Sequence, residues 1–444
     1  MNVVQIAGRQ AMGFGKGAGP ATKSTTIAAL DIGSTKISCL IAEVQPPKFR
    51  GSIDPRQRLR VLGLGQTAAR GIRAGSVVEV NAAECAIRVA VDAAERMAQT
   101  SISDVMVAIS GGRPASASYQ GFVRTQGSVV SPIDLEHAVS SALQNVSVGK
   151  RTILHLHPVG HMLDGVGEIA NPIGLHGEEL QVELGVTTVE PAYLRNLTQA
   201  IERAHLNPIG FVLSSYAASK AALAADESAL GTIVIDMGGA VTSLALLRHE
   251  KLVAADSLNL GGQHLTNDVA QGLSTSVAHA ERMKTLWGTV LQGGHGEREM
   301  LAVPLLGERG TDAVQKVPKS LLTNILRARL EEIFELVGGR LAQGGFAAVP
   351  GAKVVLTGGA SQLPGLRDLA SAVLQRPVRL GQAASLNGLP EHLRTSGFAV
   401  ATGALIHAAN PERHYPVPEQ AQAQLERARM GYARRMTRWL AEAL

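Results

Sequence analysis

The chain has 444 residues, a formal net charge of +5, two cysteines and only 3% aromatic residues. That length allows two or more domains, each large enough for its own core. A core short of aromatics rests on Ala, Val, Leu and Ile, which suits an α/β fold with tight turns better than an aromatic-rich β-sandwich. The charge is too mild to argue for or against nucleic acid. Cys39 and Cys85 lie in apolar patterns without metal-ligand spacing, as buried reduced thiols do. No apolar run reaches the roughly 18 residues of a membrane span.

Residues 1–25 are rich in Gly and Ala, carry Arg9, Lys16 and Lys23, and lack the apolar centre of a signal peptide; they read as a disordered tail. Thr25 to Val44 reads as strand, glycine turn, strand, and Gly51 to Arg60 as a loop. Arg60–Gln66 and Ser76–Val80 are short strands. Ala82–Gln99 has helical periodicity, with Ile87, Val91, Ala94 and Met97 on one side. Asp104–Ser110 is a buried strand stopped by Gly111 and Gly112. From there to about Val182 the pattern is short and mixed, with a helix near 135–143 and strands near 152–156, as in an inserted small α/β domain. Glu190–Ala204 is helical, and "SSYAASKAALAADESALG" (Ser214–Gly231) reads as one further helix. Asn267–Ala270 and Val277–Leu286 are helical, Thr289–Arg309 is loop and strand edge, and Ser320–Leu341 is a helix. Val354–Leu356 is a strand, Asn410–Pro418 a proline-rich linker, and the last 20 residues a separate helix.

Three glycine corners stand out. In "DIGSTK" Asp31 ends an apolar strand, so its carboxylate must face a cavity or solvent. Gly33 and Ser34 turn the chain, and backbone N–H groups of such a turn form an anion-binding nest to which Ser34, Thr35 and Lys36 add hydroxyls and a cation. "IDMGGAVTSLALL" (Ile235–Leu247) repeats the pattern with Asp236, Gly238 and Gly239. Two acids beside two such turns suit a Mg²⁺ that keeps several waters and bridges nucleotide phosphates. "TGGAS" (Thr357–Ser361) is a third corner. There is neither a P-loop nor a GxGxxG dinucleotide fingerprint.

In this order the three corners resemble the first phosphate, second phosphate and adenosine motifs of the actin, sugar-kinase and heat-shock-chaperone superfamily. "GIRAGSVVEVNAA" (Gly71–Ala83), "NPIGLHGEEL" (Asn171–Leu180) and the helix before the second corner are similar to the FtsA family of bacterial division proteins. The resemblance spans roughly residues 26–408 plus the C-terminal helix. It implies an α/β, actin-like two-lobed fold of duplicated ribonuclease-H-like halves. The implied domains are first-lobe core 26–103 and 183–214, insert 104–182, second-lobe core 215–265 and 339–408, and second-lobe small domain 266–338. A linker at 409–424 and a membrane-targeting helix at 425–444 complete it. ATP is implied in the cleft, against Asp31, Gly33, Ser34, Thr35, Lys36, Asp236, Gly238, Gly239, Gly358, Gly359 and Ala360, with Mg²⁺ near Asp31 and Asp236 through water. Glu281 and Lys284 resemble the helix pair that approaches ribose and adenine; a solvated Glu–Lys pair is the other reading. Relatives often carry Gly and Asp where Ala240 and Ser243 stand, and "NPIGFVL" (Asn207–Leu213) lacks a water-positioning Gln or Glu, so hydrolysis is expected to be slow or absent.

In "LERARMGYARRMTRWLAEAL", Leu425–Leu444, an apolar arc holds Tyr432, Met436, Trp439 and Leu440, with Arg434 and Arg435 flanking it. This is the pattern of an in-plane anchor for anionic lipids, or of a helix docked on protein. The resemblance further implies binding of the FtsZ C-terminal peptide by the second lobe's small domain, where Arg327 and Arg329 are candidates or else an ordinary solvated face. It also implies self-assembly into filaments, contacts with other division proteins, no nucleic-acid partner, and a place on the cytoplasmic face of the cell membrane. Alternatives are an actin-like scaffold for shape or pili, and a sugar or acid kinase, for which no in-cleft base is evident.

Overall fold

The computed structural model describes residues 25–45, 54–293, 298–307, 314–349 and 351–409. The expected tail, linker and C-terminal helix, with Tyr432, Arg434, Arg435, Met436, Trp439 and Leu440, lie outside the described residues.

Strands β1 (Thr25–Ile32) and β2 (Lys36–Val44) are almost wholly buried along their centres, as strands covered on both faces must be. They continue antiparallel into β3 (Leu59–Ala68). A small hairpin of β4 (Ile72–Arg73) and β5 (Ser76–Val77) follows. Helix α1 (Val80–Ala98) then buries Ala83, Ala86, Ile87, Ala90, Val91 and Ala94, an i, i+3, i+4, i+7 stripe that lies on the sheet. Strand β6 (Asp104–Ile109) pairs parallel with β1. It is therefore a first-lobe strand, and the boundary expected at residue 104 falls too early. The insert begins after Gly112, because five of the six residues of β6 are needed in the central core.

The insert itself is β7 (Ala115–Arg124), α2 (Pro132–Gln144), β8 (Thr152–Leu163) and β9 (Glu179–Val189), with sheet order β7-β9-β8. Ser131 and Asp134 form a reciprocal capping box at the start of α2. Val139, Ala142, Leu180, Val182, Leu184 and Val186 make a core of its own. The strand β9 that centres this sheet had no clear sequence signature.

The chain returns through α3 (Pro191–Arg203) to β10 (Asn207–Leu213), parallel to β6. The single helix expected over Ser214–Gly231 is two, α4 (Ser214–Ala222) and α5 (Ala225–Leu230), because Leu223 and Ala224 are extended. The Glu227 carboxylate accepts from Ala224 N–H (3.1 Å) and pairs with Lys353 (2.9 Å) and Arg379, which pins the break. These partners, Arg379 foremost, hold its pKa down at about 2 despite some desolvation.

Strands β11 (Thr232–Met237), β12 (Thr242–Arg248) and β13 (Lys251–Leu258) repeat the antiparallel meander. Helices α6 (Gly262–Gly272) and α7 (Val277–Trp287), hairpin β14 (Met300–Pro304) with β15 (Val314–Pro318), and α8 (Lys319–Leu341) follow and share one hydrophobic core with β11 and β12. Strand β16 (Lys353–Thr357), α9 (Leu366–Leu374), β17 (Val378–Leu380) and α10 (Ala399–Ala409) follow. The two main sheets have orders β3-β2-β1-β6-β10 and β13-β12-β11-β16-β17. Each is a three-strand meander followed by two parallel strands, so the duplication extends from the corners to the whole sheet.

Helix α10, expected in the second lobe, packs instead into the first-lobe core, with Ala399, Ala401, Ala404 and Leu405 in the same cluster as Leu30, Ala217 and Ala218. Gly403 permits this, since a Cβ there would lie 1.7 Å from the Ala217 carbonyl oxygen on α4. Gly403→Ala is expected to lower stability by about 2–3 kcal/mol through overpacking at this backbone crossing. Urea denaturation checks it, and a change below about 0.5 kcal/mol would contradict the crossing.

Candidate functional site

Strands β1 and β2 turn through Gly33–Thr35, with the Gly33 N–H donating to the Lys36 carbonyl (3.0 Å) and Asp31 opposite Ser38. Strands β11 and β12 turn with the Gly238 N–H donating to the Val241 carbonyl (2.9 Å) and Asp236 opposite Ser243. The two hairpins are thus the same object in bond pattern and register. They meet: a Cβ built on Gly239 would lie 2.3 Å from Thr35 Cγ2. The third corner closes on the second. Gly358 has φ +88°, and a Cβ there would lie 2.4 Å from the Met237 carbonyl oxygen and 2.7 Å from Asp236 Oδ1, so only glycine fits. At exposed Gly359, by contrast, a Cβ would meet nothing within 4 Å.

Ser34 Oγ accepts from Gly75 N–H (2.8 Å), which ties the β4–β5 hairpin to the first corner. Lys36 Nζ donates to the Gly397 carbonyl (2.6 Å). At the second corner, Gly262 N–H donates to the Gly238 carbonyl (3.0 Å) and Gln263 N–H to that of Gly239 (2.6 Å). The start of α6 is therefore part of the site. The sequence reading missed Gly261 and Gly262, although "LGGQH" after an apolar strand was a usable signal.

Lys284 on α7 donates to the Gly262 carbonyl (3.0 Å), Thr266 Oγ1 (2.8 Å) and Glu281 Oε2 (2.7 Å). Two of its donors brace α7 against α6, and the third pairs with Glu281 one turn back on α7. Ala360 stands beside Gly262, whose Cβ would come 3.2 Å from Ala360 Cβ. Glu281 is half exposed and also accepts from Thr266. Ser243 is fully buried and donates to Ser215 Oγ on α4 (2.9 Å).

Arg327 and Arg329 form a separate cluster on α8. Arg329 makes a bidentate pair with Asp268 of α6 (Nε–Oδ2 2.5 Å, Nη2–Oδ1 2.9 Å) and also pairs with Glu332. Arg327 pairs with Glu331 (2.8 Å) and donates to the Val290 carbonyl (3.3 Å). Both guanidinium groups thus already have acidic partners.

Electrostatically the meeting of the corners is defined by two acids and one base. Burial pushes Asp31 up to about 7; Lys36 opposes this and Asp236 adds to it. Burial pushes Asp236 up to about 6, offset by Ser214, Lys36 and Thr357. Asp236 has Thr357 beside it on the next parallel strand, whereas Asp31 has Ala108. Lys36 is lowered by burial and raised by both acids.

A carboxyl group with a raised native pKa binds its proton more tightly when folded, so stability falls as pH rises from about 4 through the native pKa. In chelator-treated protein, Asp236→Asn is expected to gain on the parent by about 1.4 kcal/mol between pH 5 and pH 8, because about one pKa unit, at 1.36 kcal/mol, separates pH 5 from the native value. Urea denaturation across that range measures it; a pH-independent difference would refute the assignment.

Comparison with known proteins completes the description. A family model described as "Cell division protein FtsA" matches residues 233–403, and one described as "SHS2 domain inserted in FTSA" matches residues 111–188, close to the insert seen here. Cell division protein FtsA of Agrobacterium fabrum is 39% identical over 386 residues, covering 87% of this chain and 87% of the relative. The Neisseria meningitidis serogroup B protein of the same name is 32% identical over 415 residues, covering 93% and 97%. Among solved structures, a chain of a PilM–PilN type IV pilus biogenesis complex superposes with TM-score 0.59 at 19% identity, covering 87% of this chain and 99% of that one. MreB5 of Spiroplasma citri bound to ADP gives 0.51 at 15% identity, covering 89% and 100%. These likenesses show an actin-like two-lobed fold. With that fold, the inserted domain and this identity over most of its length, the chain belongs to the FtsA family of cell division proteins.

Proposed function

We propose that this chain acts in bacterial cell division as an ATP-binding, self-associating scaffold that ties FtsZ filaments to the cytoplasmic face of the cell membrane and helps to assemble the septum ring. The observation that carries the nucleotide part is the convergence of three glycine corners on one cleft that contains Asp31, Asp236 and Lys36. The fit is supported by Gly359, where no neighbour demands glycine and a flat or phosphate-bearing ligand would. The donor set, two carboxylates flanked by hydroxyls, suits a hard divalent cation that keeps several waters.

In this reading the N–H groups of Ser34, Thr35 and Gly239 hold phosphates, while those of Gly33 and Gly238 close the two turns, with Lys36 supplying a positive charge. Asp31 and Asp236 hold Mg²⁺ through water, and Gly358, Gly359 and Ala360 face adenosine beside Glu281, with Lys284 bracing that wall. Bound Mg²⁺ would neutralise phosphate charge. Slow hydrolysis is favoured by Ser243, whose hydroxyl is engaged by Ser215, and by β10, which presents no Gln or Glu ahead of Ser214. Lipid binding is assigned to residues 425–444, and self-association belongs to the same reading, since many copies would add their weak membrane contacts together.

Calorimetry with Mg²⁺ is expected to give ATP binding that Asp236→Ala weakens at least about tenfold, with steady-state turnover below about 1 s⁻¹, the slow end of ordinary kcat values. Deleting residues 425–444 is expected to abolish co-sedimentation with anionic liposomes while ATP binding survives. Absent ATP binding, or undiminished liposome binding, would overturn the corresponding part.

The FtsZ C-terminal peptide is assigned to the second lobe's small domain, with Arg327 and Arg329 as its charged contacts. The peptide would have to share Arg329 with Asp268, so two variants are needed. Arg329→Glu is expected to weaken peptide binding about fivefold, roughly 1 kcal/mol, whereas Asp268→Asn, which leaves Arg329 less neutralised, should not weaken it. Equal losses in both would make the pair a clamp between α6 and α8 and nothing more.

A further inference from the structure

Lys36 reaches across 361 positions of sequence to the turn that starts α10. Its Nζ donates to the Gly397 carbonyl at 2.6 Å and stands 4.1 Å from the centroid of the Phe398 ring. Phe398 is 7% exposed, so the cation–π contact is largely desolvated, the setting in which such contacts are strongest. The turn is itself fixed. Gly358 N–H of the third corner donates to the Ser396 carbonyl (3.1 Å), and Phe398 N–H donates to the Thr395 carbonyl (3.1 Å). Successive residues of one turn thus engage the third corner through Ser396 and the first corner through Gly397 and Phe398.

A lysine carries a compact charge on four rotatable carbons, and ordering it costs entropy. Here both direct partners are neutral, a carbonyl and a ring face, so they restrain the ammonium without themselves adding to the opposing charge that Asp31 and Asp236 already place near it. The carbonyl takes one N–H and the ring face needs none in particular, which leaves donors for an anion. An acidic partner in the same place would neutralise the group.

We propose that Phe398, together with the Gly397 carbonyl, is a positioning residue that holds the Lys36 ammonium at the phosphate side of the cleft, and thereby sets affinity for the phosphates of a bound nucleotide and not for its nucleoside. This rests on the nucleotide reading of the cleft. It also makes the first turn of α10 part of the binding machinery.

The test compares the full chain with Phe398→Leu, which keeps an apolar side chain and removes the ring face. ATP and ADP are expected to bind about tenfold more weakly by calorimetry, within the range of one desolvated cation–π contact, while adenosine affinity is unchanged. Phe398→Tyr is expected to restore phosphate affinity. Without nucleotide, Lys36 of the Leu variant should be acetylated several-fold faster by acetic anhydride, read by peptide mass spectrometry. If the Leu variant does not fold, Phe398→Met carries the same expectations. Affinity for ATP within about twofold of the parent, an equal loss for adenosine, or unchanged Lys36 acetylation would overturn the proposal. A parent chain that binds neither ATP nor ADP would overturn the nucleotide reading, and acetylation would still decide whether Phe398 restrains Lys36.

Discussion

Two carboxylates and one ammonium are buried near one another, and the rest of the fold is arranged around that constraint. Asp31 and Asp236 sit at the ends of apolar strands, where each would be costly to charge alone. Lys36 moderates both. Holding the three groups near one another requires two hairpins to meet tip to tip, and the tips have room to meet only because Gly239 lacks a side chain where Thr35 stands.

The duplicated sheets deliver those tips. In each, a three-strand meander leads with the acid-bearing strand at the centre, and two parallel strands follow it in the same order. The copies differ where chemistry differs. The second sheet places Thr357 beside its acid and the first places Ala108, while Lys36 acts on both acids. Helices α4 and α10 cross in the first-lobe core, packed so tightly that Gly403 has no room for a methyl group.

Much of this was legible in the chain. The glycine corners were readable because turns with such geometry restrict residue choice locally, and the strands leading to them because they are apolar runs of ordinary length. Strand β6 was readable as a strand, yet its sheet was not: nothing local says that Asp104–Ile109 pairs with β1 before the insert begins. The break at Leu223–Ala224 was hidden for a similar reason. The segment has good helix formers throughout, and the clamp that ends α4, Glu227 with Lys353 and Arg379, comes from residues more than a hundred positions away. Arg329 read equally well as a free surface charge, because Asp268 lies 61 positions distant and only packing of α8 on α6 brings the two together.

By itself the sequence determined the two acidic hairpins, the third corner, the order of the lobes and the presence of an insert, since each is written in contiguous residues whose conformation follows from local sterics and burial. Tertiary structure alone decided that the start of α6 closes the second corner, that Lys284 is a brace, that α10 returns to the first lobe, and that Lys36 rests on Gly397 and Phe398. Those are contacts between segments far apart in the chain. Their partners are selected by three-dimensional packing and burial, which no local pattern of residues records.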